Sequence, residues 1–517
     1  MASTNSLVLS SPPSTTNNLQ QWLNNFIKTF YNHLHLNTNL PICIFQLPQT
    51  LTTQKPNSYT PQHIGLGPIH HFETNLYTNQ QQLKLITSKT ILAPFINTSQ
   101  FDTIVQDHLV GIVPLARCCY DVYFDINDEC LAWVLAIDAL YLLDIMSKVT
   151  NGLPYKSFED VFMVENQIPL VILVELLNAL HLELNGDIDS SNLSSLLVKF
   201  CETRSPLKIT TQETQLDLDV CNMFHLLDCM YHLIVNYRLP PKNPFLRTNF
   251  LMDVHLEDVE NVVQIAGGLF PGANAILQPI KLILKLPWDK ISVLVKKTLG
   301  ENDTMMEINI PSVSKLSKIG KIEFSSTPGG IHDIKFDEGN LTFFLPVLEL
   351  KSDSEVILRN LVAYEELMFK KETFTNLDFT EYVDLLCGIV DGVKDVKILR
   401  EKNVIEGDMS DEEIVKLFNG ITKSSVKNDG KTSELQKTIS KVNTYYSNIP
   451  RVKAFNFIKK LFLATWKILA IVFSVMSLVL MVVTGVCEVY DCKGQFGLGN
   501  ARFIFGYATG NNELTDF

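Results

Sequence analysis

A run of twenty residues near the C-terminus, beginning at Ile468 and ending at Cys487, contains no Asp, Glu, Lys, Arg or His. As a helix it rises about 1.5 Å per residue and reaches about 30 Å, the thickness of the hydrocarbon core of a bilayer. The alternative, a helix buried in a protein core, is seldom so long without a charge. The run therefore predicts a transmembrane anchor at 468–487, followed by a short tail at 488–517.

The basic residues beside this run indicate its orientation. The preceding juxtamembrane segment, 451–467, has five basic residues and no acidic one, whereas the tail has only Lys493 and Arg502. Cytoplasmic flanks of membrane spans favour Lys and Arg. We therefore predict a single-pass protein that contacts the lipid bilayer through its C-terminal anchor. Its large N-terminal part faces the cytosol, at the plasma membrane or the endoplasmic reticulum.

Charge and cysteine usage limit the partners and the compartment. The formal net charge of −13 disfavours nucleic acid as a partner, because nucleic-acid binders present concentrated basic surface. Ten cysteines occur without a Cys-x-x-Cys pair, which predicts reduced, mostly buried thiols and agrees with a cytosolic domain. Residues 1–15 have no basic cluster, so nothing there resembles a secretory signal. Glycosylation sequons begin at Asn97, Asn192, Asn302 and Asn340, and they do not decide the side of the membrane.

Composition divides the rest of the chain into a polar, partly disordered segment at 1–40 and a globular helical domain at 41–450. Within a core at 101–240, apolar periodicity predicts helices at 131–146, 161–182 and 216–235. Alternating runs at 321–325, 331–336 and 340–350 predict a small antiparallel sheet or hairpin in the region 320–350. C-terminal helices are predicted within 354–420, at 354–371, 379–390 and 411–419, the last with a Ser410–Glu413 capping box. The predicted fold class is mainly α with a small antiparallel β element, plus one C-terminal transmembrane helix.

The region 251–299 has the character of a basic amphipathic insert. Between positions 280 and 297, lysines alternate with short runs of Leu, Ile and Val. Such a helix lies on an anionic membrane surface or docks a partner. The more common alternative is a surface helix, broken at Pro287, whose apolar stripe packs on the core.

Seven blocks of residues occur in a distinctive order along the chain. They are Pro41-Ile42-Cys43-Ile44-Phe45, Tyr59-Thr60-Pro61-Gln62, Gly65-Leu66-Gly67-Pro68-Ile69-His70-His71, Ala116-Arg117-Cys118-Cys119-Tyr120, Val164-Glu165-Asn166-Gln167-Ile168-Pro169, Ile310-Pro311-Ser312-Val313 and Arg359-Asn360-Leu361-Val362-Ala363-Tyr364-Glu365. Together they resemble the plant proteins of domain of unknown function 247, also called uncharacterised protein family 0481, over about residues 41–490. The chain departs from the family pattern at Asp138-Ala139-Leu140-Tyr141 and at Lys315.

This resemblance implies a plant membrane protein with a C-terminal anchor and no established biochemical activity. Some members of the family are associated with reproductive recognition such as self-incompatibility. The resemblance supplies no catalytic residue, and the sequence specifies neither the protein partner nor the oligomeric state.

The family motif Glu165, Asn166, Gln167, Ile168 and Pro169 is interpreted as a buried junction at the start of a helix. Pro169 has a fixed φ and no N–H, so it fits a first helical turn. Glu165 or Asn166 is then expected to accept from free N–H groups of that turn, and Gln167 to join a neighbouring segment. The alternative is a ligand-binding polar cluster. The other motif residues with a structural or interaction role are Arg359, Asn360, Tyr364 and Glu365.

No pattern in the sequence indicates a catalytic residue, a cofactor or a metal. Cys221, His225, Cys229 and His232 share one helical face, but a single straight helix cannot wrap four ligands around one ion. A core stripe of thiols and satisfied histidines is the better interpretation. Gly65-Leu66-Gly67 lacks the third glycine of a dinucleotide loop.

Two functional hypotheses follow. The first is a non-enzymatic, membrane-tethered recognition or scaffolding protein, because a tethered helical body offers interaction surface near membrane partners. The second is a membrane-tethered enzyme, hydrolase-like, that uses dispersed polar residues such as Asp138, Glu165 and His225. Convergence of these three side chains on an apolar pocket would favour the enzyme, and their dispersal among helix junctions would count against it.

Overall fold

The computed structural model describes residues 41–71, 74–93, 98–153, 158–183, 191–209, 223–236, 310–421, 433–455 and 473–482, with short pieces between 19 and 31. The chain divides into two compact units, Met1–Tyr446 and Ser447–Phe517. The amphipathic insert predicted at 251–299 and half of the run 468–487 lie outside the described residues.

The N-terminal part of the first unit is helical. Its helices are α1 Gln49–Gln54, α2 Pro56–Tyr59, α3 Gly67–His70, α4 Thr74–Leu92, α5 Thr98–Ile104, α6 Val110–Cys118, α7 Asp128–Thr150, α8 Leu170–Glu183, α9 Ser191–Arg204 and α10 Leu226–Asn236, with a π-helical turn at Val105–Leu109 and a 3₁₀ turn at Phe158–Phe162.

Helix α7 is the centre of this part, and it confirms the helix predicted at 131–146. Asn127 caps its first turn by accepting a hydrogen bond from the Cys130 backbone N–H at 2.7 Å. Apolar residues then cover almost its whole circumference, so α4, α6, α8 and α9 can all pack against it. Each large aliphatic side chain buried in this way contributes about 1.5–3 kcal/mol.

The helix predicted at 161–182 starts later than expected. Residues 158–162 form a 3₁₀ turn and α8 begins at Leu170, directly after Pro169. The prediction was wrong at this end because the apolar run 161–164 is buried in irregular backbone, which periodicity alone cannot distinguish from a buried helix. Helix α10 confirms the second half of the helix predicted at 216–235, and residues 210–222 lie outside the described part.

The predicted β region contains a mixed sheet rather than a wholly antiparallel one. Strands β2 Lys335–Asp337 and β3 Thr342–Pro346 form the expected antiparallel hairpin, but β1 Glu323–Thr327 pairs with β3 in parallel. The order is therefore β1-β3-β2. A second small parallel pair joins β4 Leu348–Glu349 to β5 Ile405–Glu406.

Three helices of the C-terminal part lie where periodicity predicts them: α12 Ser354–Lys370, α13 Asp378–Ile389 and α15 Asp411–Gly420. The structure adds three that were not predicted, α11 Val313–Lys318, α14 Val393–Glu401 and α16 Glu434–Asn448. The predicted capping box is confirmed at α15. Ser410 Oγ accepts from the Glu413 N–H at 3.3 Å, and Glu413 Oε2 accepts from the Ser410 N–H at 2.9 Å.

Among the described residues, one helix has both the length and the apolar composition of a membrane span, and it is α7, not the C-terminal run. Because 61% of its most apolar 18-residue stretch is buried inside the protein, α7 has the environment of a core helix. In the second unit a shorter apolar helix, Phe473–Val482, falls inside the run 468–487, and its large apolar side chains are 54% to 77% exposed. The C-terminal anchor stays a prediction.

Candidate functional site

The segment 41–71, which we call the strap, has three short helices and little other regular structure. Its most unusual feature is a row of six consecutive backbone N–H groups, 62 to 67, that all donate to side chains of other segments. Gln62 and His63 are exposed, whereas residues 64 to 67 are buried, and a buried amide needs an acceptor. The side chains that accept from this row therefore determine the path of the strap.

Asp160 accepts the first three amides of the row. Its Oδ2 lies 3.0 Å from the nitrogen of Gln62, 2.6 Å from that of His63 and 2.8 Å from that of Ile64. Burial raises the pKa of Asp160, although the three N–H groups act in the opposite direction. Asp160 thus serves as a single anchor for one turn of the strap.

Asn166 holds the strap through both ends of its amide. Its Oδ1 accepts from the Leu66 N–H at 2.6 Å, while its Nδ2 donates to the carbonyls of Ile64 at 2.7 Å and Asp160 at 2.8 Å. A side-chain amide accepts through its oxygen and donates two hydrogens through its nitrogen, which explains why Asn suits this position.

A buried ion pair completes the row. Lys84 Nζ contacts Asp138 Oδ1 at 2.5 Å and donates to the Gly65 carbonyl at 2.5 Å, and the Gly67 N–H donates to Asp138 Oδ2 at 2.9 Å. His71 Nδ1 lies 3.7 Å from the same carboxylate oxygen. Lys84 and Asp138 are almost fully buried, so each needs the other for its charge to be tolerated there.

Glu165 contacts the strap at two further points. Its Oε1 accepts from the Leu47 N–H at 2.5 Å, and its Oε2 lies 3.1 Å from His70 Nε2. The capping role expected for Glu165 and Asn166 at α8 is therefore not the one the structure gives them. Both side chains point their acceptors at the strap.

Gln167 joins neighbouring segments, as the sequence predicts. Its Nε2 donates to the carbonyls of Val161 and Met163, and its Oε1 accepts from the Leu227 N–H at 3.1 Å at the start of α10. Ile168 is buried between this residue and Pro169. The backbone of Gln167 also approaches the strap, because its carbonyl would lie 2.7 Å from a Cβ added at Gly67. Gly67 also has a φ of +66°. Both the positive φ and the nearby carbonyl therefore favour glycine at this position.

The second half of the family motif lies on α12 and makes equally buried contacts. Asn360 Oδ1 accepts from the Val164 N–H at 3.0 Å, and its Nδ2 donates to the Ser58 carbonyl of the strap at 2.7 Å. Arg359 Nε pairs with Glu355 at 2.9 Å. Asn360 thus ties α12, the strap and the segment before Glu165 together.

Glu365 serves the start of α13 rather than the strap. It accepts from the backbone N–H groups of Phe379 at 3.0 Å and Thr380 at 2.6 Å, and from the Tyr231 hydroxyl at 2.7 Å. Burial raises the pKa of Glu365 to about 7. Tyr364, next to it, donates its hydroxyl to Asp228 at 2.8 Å.

The residues considered as metal ligands have other partners. The Asp228 N–H donates to His225 Nδ1 at 3.2 Å, so Nε2 carries the ring proton and donates to the Cys43 carbonyl at 3.0 Å. Burial lowers the pKa of His225, which agrees with a neutral ring. His232 Nε2 pairs with Asp228 at 3.3 Å, Cys229 is buried, and Cys221 lies outside the described residues. No group of three or more His, Cys, Asp or Glu side chains with the geometry to hold a metal ion occurs in the part of the chain that the structure describes.

The three side chains considered for catalysis are occupied in the same way. Asp138 and Glu165 bind the strap, and His225 binds the Cys43 carbonyl. A cavity of about 210 Å³ among the described residues is lined by none of these three; its lining includes Ile42, Tyr120 and Tyr123. The arrangement is chemically suited to holding the backbone of the strap in place through hydrogen bonds.

Sequence reasoning missed Asp160 and Lys84, which anchor the strap as firmly as the motif residues do. Asp160 could have been noticed as an acid directly before the apolar run 161–164. Lys84 has no such signal, because a lysine in a helix usually points to solvent.

Two comparisons with known proteins bear on these residues. A family model described as DUF247, plant protein of unknown function, matches residues 44–480. A UPF0481 protein of Arabidopsis thaliana is 30% identical over 522 residues, covering 89% of this chain and 93% of the relative. No solved structure matches. Both the strap from Ile44 onward and the motif residues fall inside the family match.

Proposed function

Because the chain belongs to the plant DUF247 family, also described as UPF0481, we propose that it is a membrane-anchored, non-enzymatic recognition or scaffolding protein. The observation that carries the proposal is the use of the motif side chains: they hold the strap and the start of helices instead of lining a cavity. Acid–base and nucleophilic catalysis require side chains that can reach a substrate. A body built in this way is rigid and presents its outer surface to a partner.

Membrane anchoring is supported by the second unit. The run 468–487 has no charge, and its described part, Phe473–Val482, is a helix whose large apolar side chains are more than half exposed. A lipid environment satisfies such a helix without further partners. The basic segment 451–467 supports the part of the proposal that puts the large unit in the cytosol, at the plasma membrane or the endoplasmic reticulum.

The partner in this proposal is another protein at the same membrane. Anchoring raises the effective concentration of a domain near membrane partners, so modest affinity suffices for recognition. The family resemblance adds reproductive recognition or signalling as the setting.

Protease protection on sealed microsomes tests the topology. The full chain carries one tag at each end, and glycosylation is read at the four sequons. We expect digestion of the N-terminal unit and protection of the C-terminal tag. A protected, glycosylated N-terminal unit would overturn the cytosolic orientation.

Affinity purification tests the scaffolding role. We expect the intact protein to retain a protein partner from its native membrane. A variant with Leu478→Arg and Met481→Arg should no longer associate with the membrane or retain the partner. Each arginine at the centre of a span raises the free energy of membrane insertion by about 2.5–3.5 kcal/mol. A Leu478→Ile variant is the matched control. Membrane association that survives the double arginine variant, or retention of no partner by the intact protein, would contradict the proposal.

A further inference from the structure

Two cysteines lie opposite each other where the strap meets the end of α6. Ile44 pairs with Tyr120 in a parallel bridge, and the N–H groups of Cys43 and Ile44 both donate to the Cys119 carbonyl, at 2.9 Å and 2.8 Å. Cys43 and Cys119 each precede a bridge residue, so they are neighbours in the same register. Cys119 directly follows α6 and keeps helical φ and ψ, and the hydrogen bond from the Cys43 N–H to its carbonyl brings the two residues together.

The spacing of these residues suits a disulfide. A backbone hydrogen bond of 2.9 Å between the two residues places their Cα atoms near the separation of about 4.4–6.8 Å that a disulfide requires. Burial and, after it, the Cys119 thiol raise the pKa of Cys43, so the two thiols are close, and both cysteines are buried, at 0% and 3% exposure. The chain contains both as free thiols.

We propose that Cys43 and Cys119 are a disulfide-forming pair, through which a small thiol–disulfide couple such as glutathione fastens the strap covalently to the end of α6. Cys119 rather than the neighbouring Cys118 is the partner, because the Cys43 N–H donates to the Cys119 carbonyl, whereas Cys118 is only partly buried at the end of α6. The bond would close a long loop that contains the strap, α4 and α5.

The reaction proceeds by two thiol–disulfide exchanges. The Cys119 thiolate attacks one sulfur of oxidised glutathione, and one reduced glutathione leaves. The Cys43 thiolate then attacks Cys119 in the mixed disulfide, and the second glutathione leaves. The two cysteines lose two electrons and two protons, and one oxidised glutathione becomes two reduced molecules.

Burial controls the rate of this reaction. Because it raises the pKa of Cys43, little thiolate is present at neutral pH, and the strap must open locally before an oxidant can enter. The pair therefore stays reduced in a reducing compartment and responds to sustained oxidation. Once formed, the bond stabilises the strap by restricting the unfolded chain.

The test uses the full chain in detergent micelles, equilibrated with a series of reduced and oxidised glutathione. Free thiols are then blocked, and non-reducing peptide mapping identifies the crosslink. We expect a 43–119 crosslink in the wild type and in Cys118→Ser, but not in Cys43→Ser. Oxidation should also raise the Tm of the wild type by several degrees and leave that of Cys43→Ser unchanged.

A second buried pair provides an internal comparison. Cys201 on α9 and Cys229 on α10 are fully buried, and burial and, after it, the Cys229 thiol raise the pKa of Cys201. The proposal is overturned if oxidation links only Cys201 to Cys229, if it links Cys118 in place of Cys119, or if Cys43 and Cys119 stay reduced throughout the series. The maps of the wild type and Cys118→Ser decide this even where Cys43→Ser does not fold.

Discussion

The strap 41–71 and the helices of region 354–420 belong to the same unit, yet they satisfy their backbones in opposite ways. Within α12 to α15, interior N–H groups bond to carbonyls of the same helix, and side chains are needed only at the ends, as at Ser410 and Glu365. In the strap, the six amides from 62 to 67 all depend on side chains from elsewhere. Local structure therefore stabilises the helices, whereas distant side chains stabilise the strap.

This difference has a consequence for substitution. A helix that loses one surface or cap contact keeps its remaining hydrogen bonds, so the effect stays small. A strap that loses one side chain can lose the acceptor of up to three amides at once, as at Asp160, and each amide that is buried then costs about 1–3 kcal/mol. The largest effects of single substitutions are expected at the strap.

Asp160→Ala should have the largest effect. It removes the acceptor of three N–H groups, of which that of Ile64 is buried and those of Gln62 and His63 are partly buried, and we expect a loss of about 2–4 kcal/mol of unfolding free energy. Thermal or urea unfolding of the full chain measures this loss. Asp121→Ala is the matched control, since Asp121 accepts from the exposed Gln46 N–H. Equal effects of the two substitutions would break the comparison.

Gly67→Ala should cost about 2 kcal/mol, because Gly67 has positive φ and its added Cβ would meet the Gln167 carbonyl at 2.7 Å. Gly111→Ala, within α6, meets nothing within 4 Å and should stabilise by up to about 1 kcal/mol. The two alanine variants are compared by their midpoints of chemical unfolding. A stable Gly67→Ala protein would show that the strap is not held against Gln167.

Glu365 should give the helical region a pH dependence. Its pKa in the folded protein is about 7, above the ordinary value of 4.5, so the folded state holds the proton more tightly. The resulting stabilisation is fully present below pH 4.5 and is lost as the pH rises through about 7.

Glu365→Gln removes this titration, and we expect a flatter stability curve between pH 5 and 8, measured by thermal unfolding at several pH values. Glu355→Gln, on the same helix but partly exposed, serves as the control. An unchanged pH profile in Glu365→Gln would mean that another group is responsible.

Ser410→Ala should have the smallest effect, about 1 kcal/mol, because it removes one cap contact from a helix that keeps its interior hydrogen bonds. Hydrogen exchange in the first turn of α15 measures the change. Thr438→Ala is the control, because it removes an exposed hydroxyl contact from the middle of α16. A loss as large as that of Asp160→Ala would show that the helices are no more self-sufficient than the strap.

The helices could be predicted from the sequence because their signals are local. Apolar periodicity indicated α7, α12 and α13, and the Ser410–Glu413 box indicated the start of α15. The parallel pairing of β1 could not be predicted, since alternation does not specify which neighbour a strand selects.

The strap was beyond prediction for the same reason. It has no period, and Asp160 lies 96 to 98 positions from the amides it binds. The motif residues Glu165 to Gln167 were recognised as a junction, but their partners were expected in α8 because capping is the local rule for such residues.

Hydrogen exchange of the strap amides, followed by mass spectrometry of the full chain, tests the central claim most directly. If the buried side chains hold the strap, the amides at 62–67 exchange as slowly as those inside α12 in the wild type. In Asp160→Ala they become fast while α12 to α15 stay protected. Fast exchange at 62–67 in the wild type, or unchanged protection in Asp160→Ala, would contradict the account.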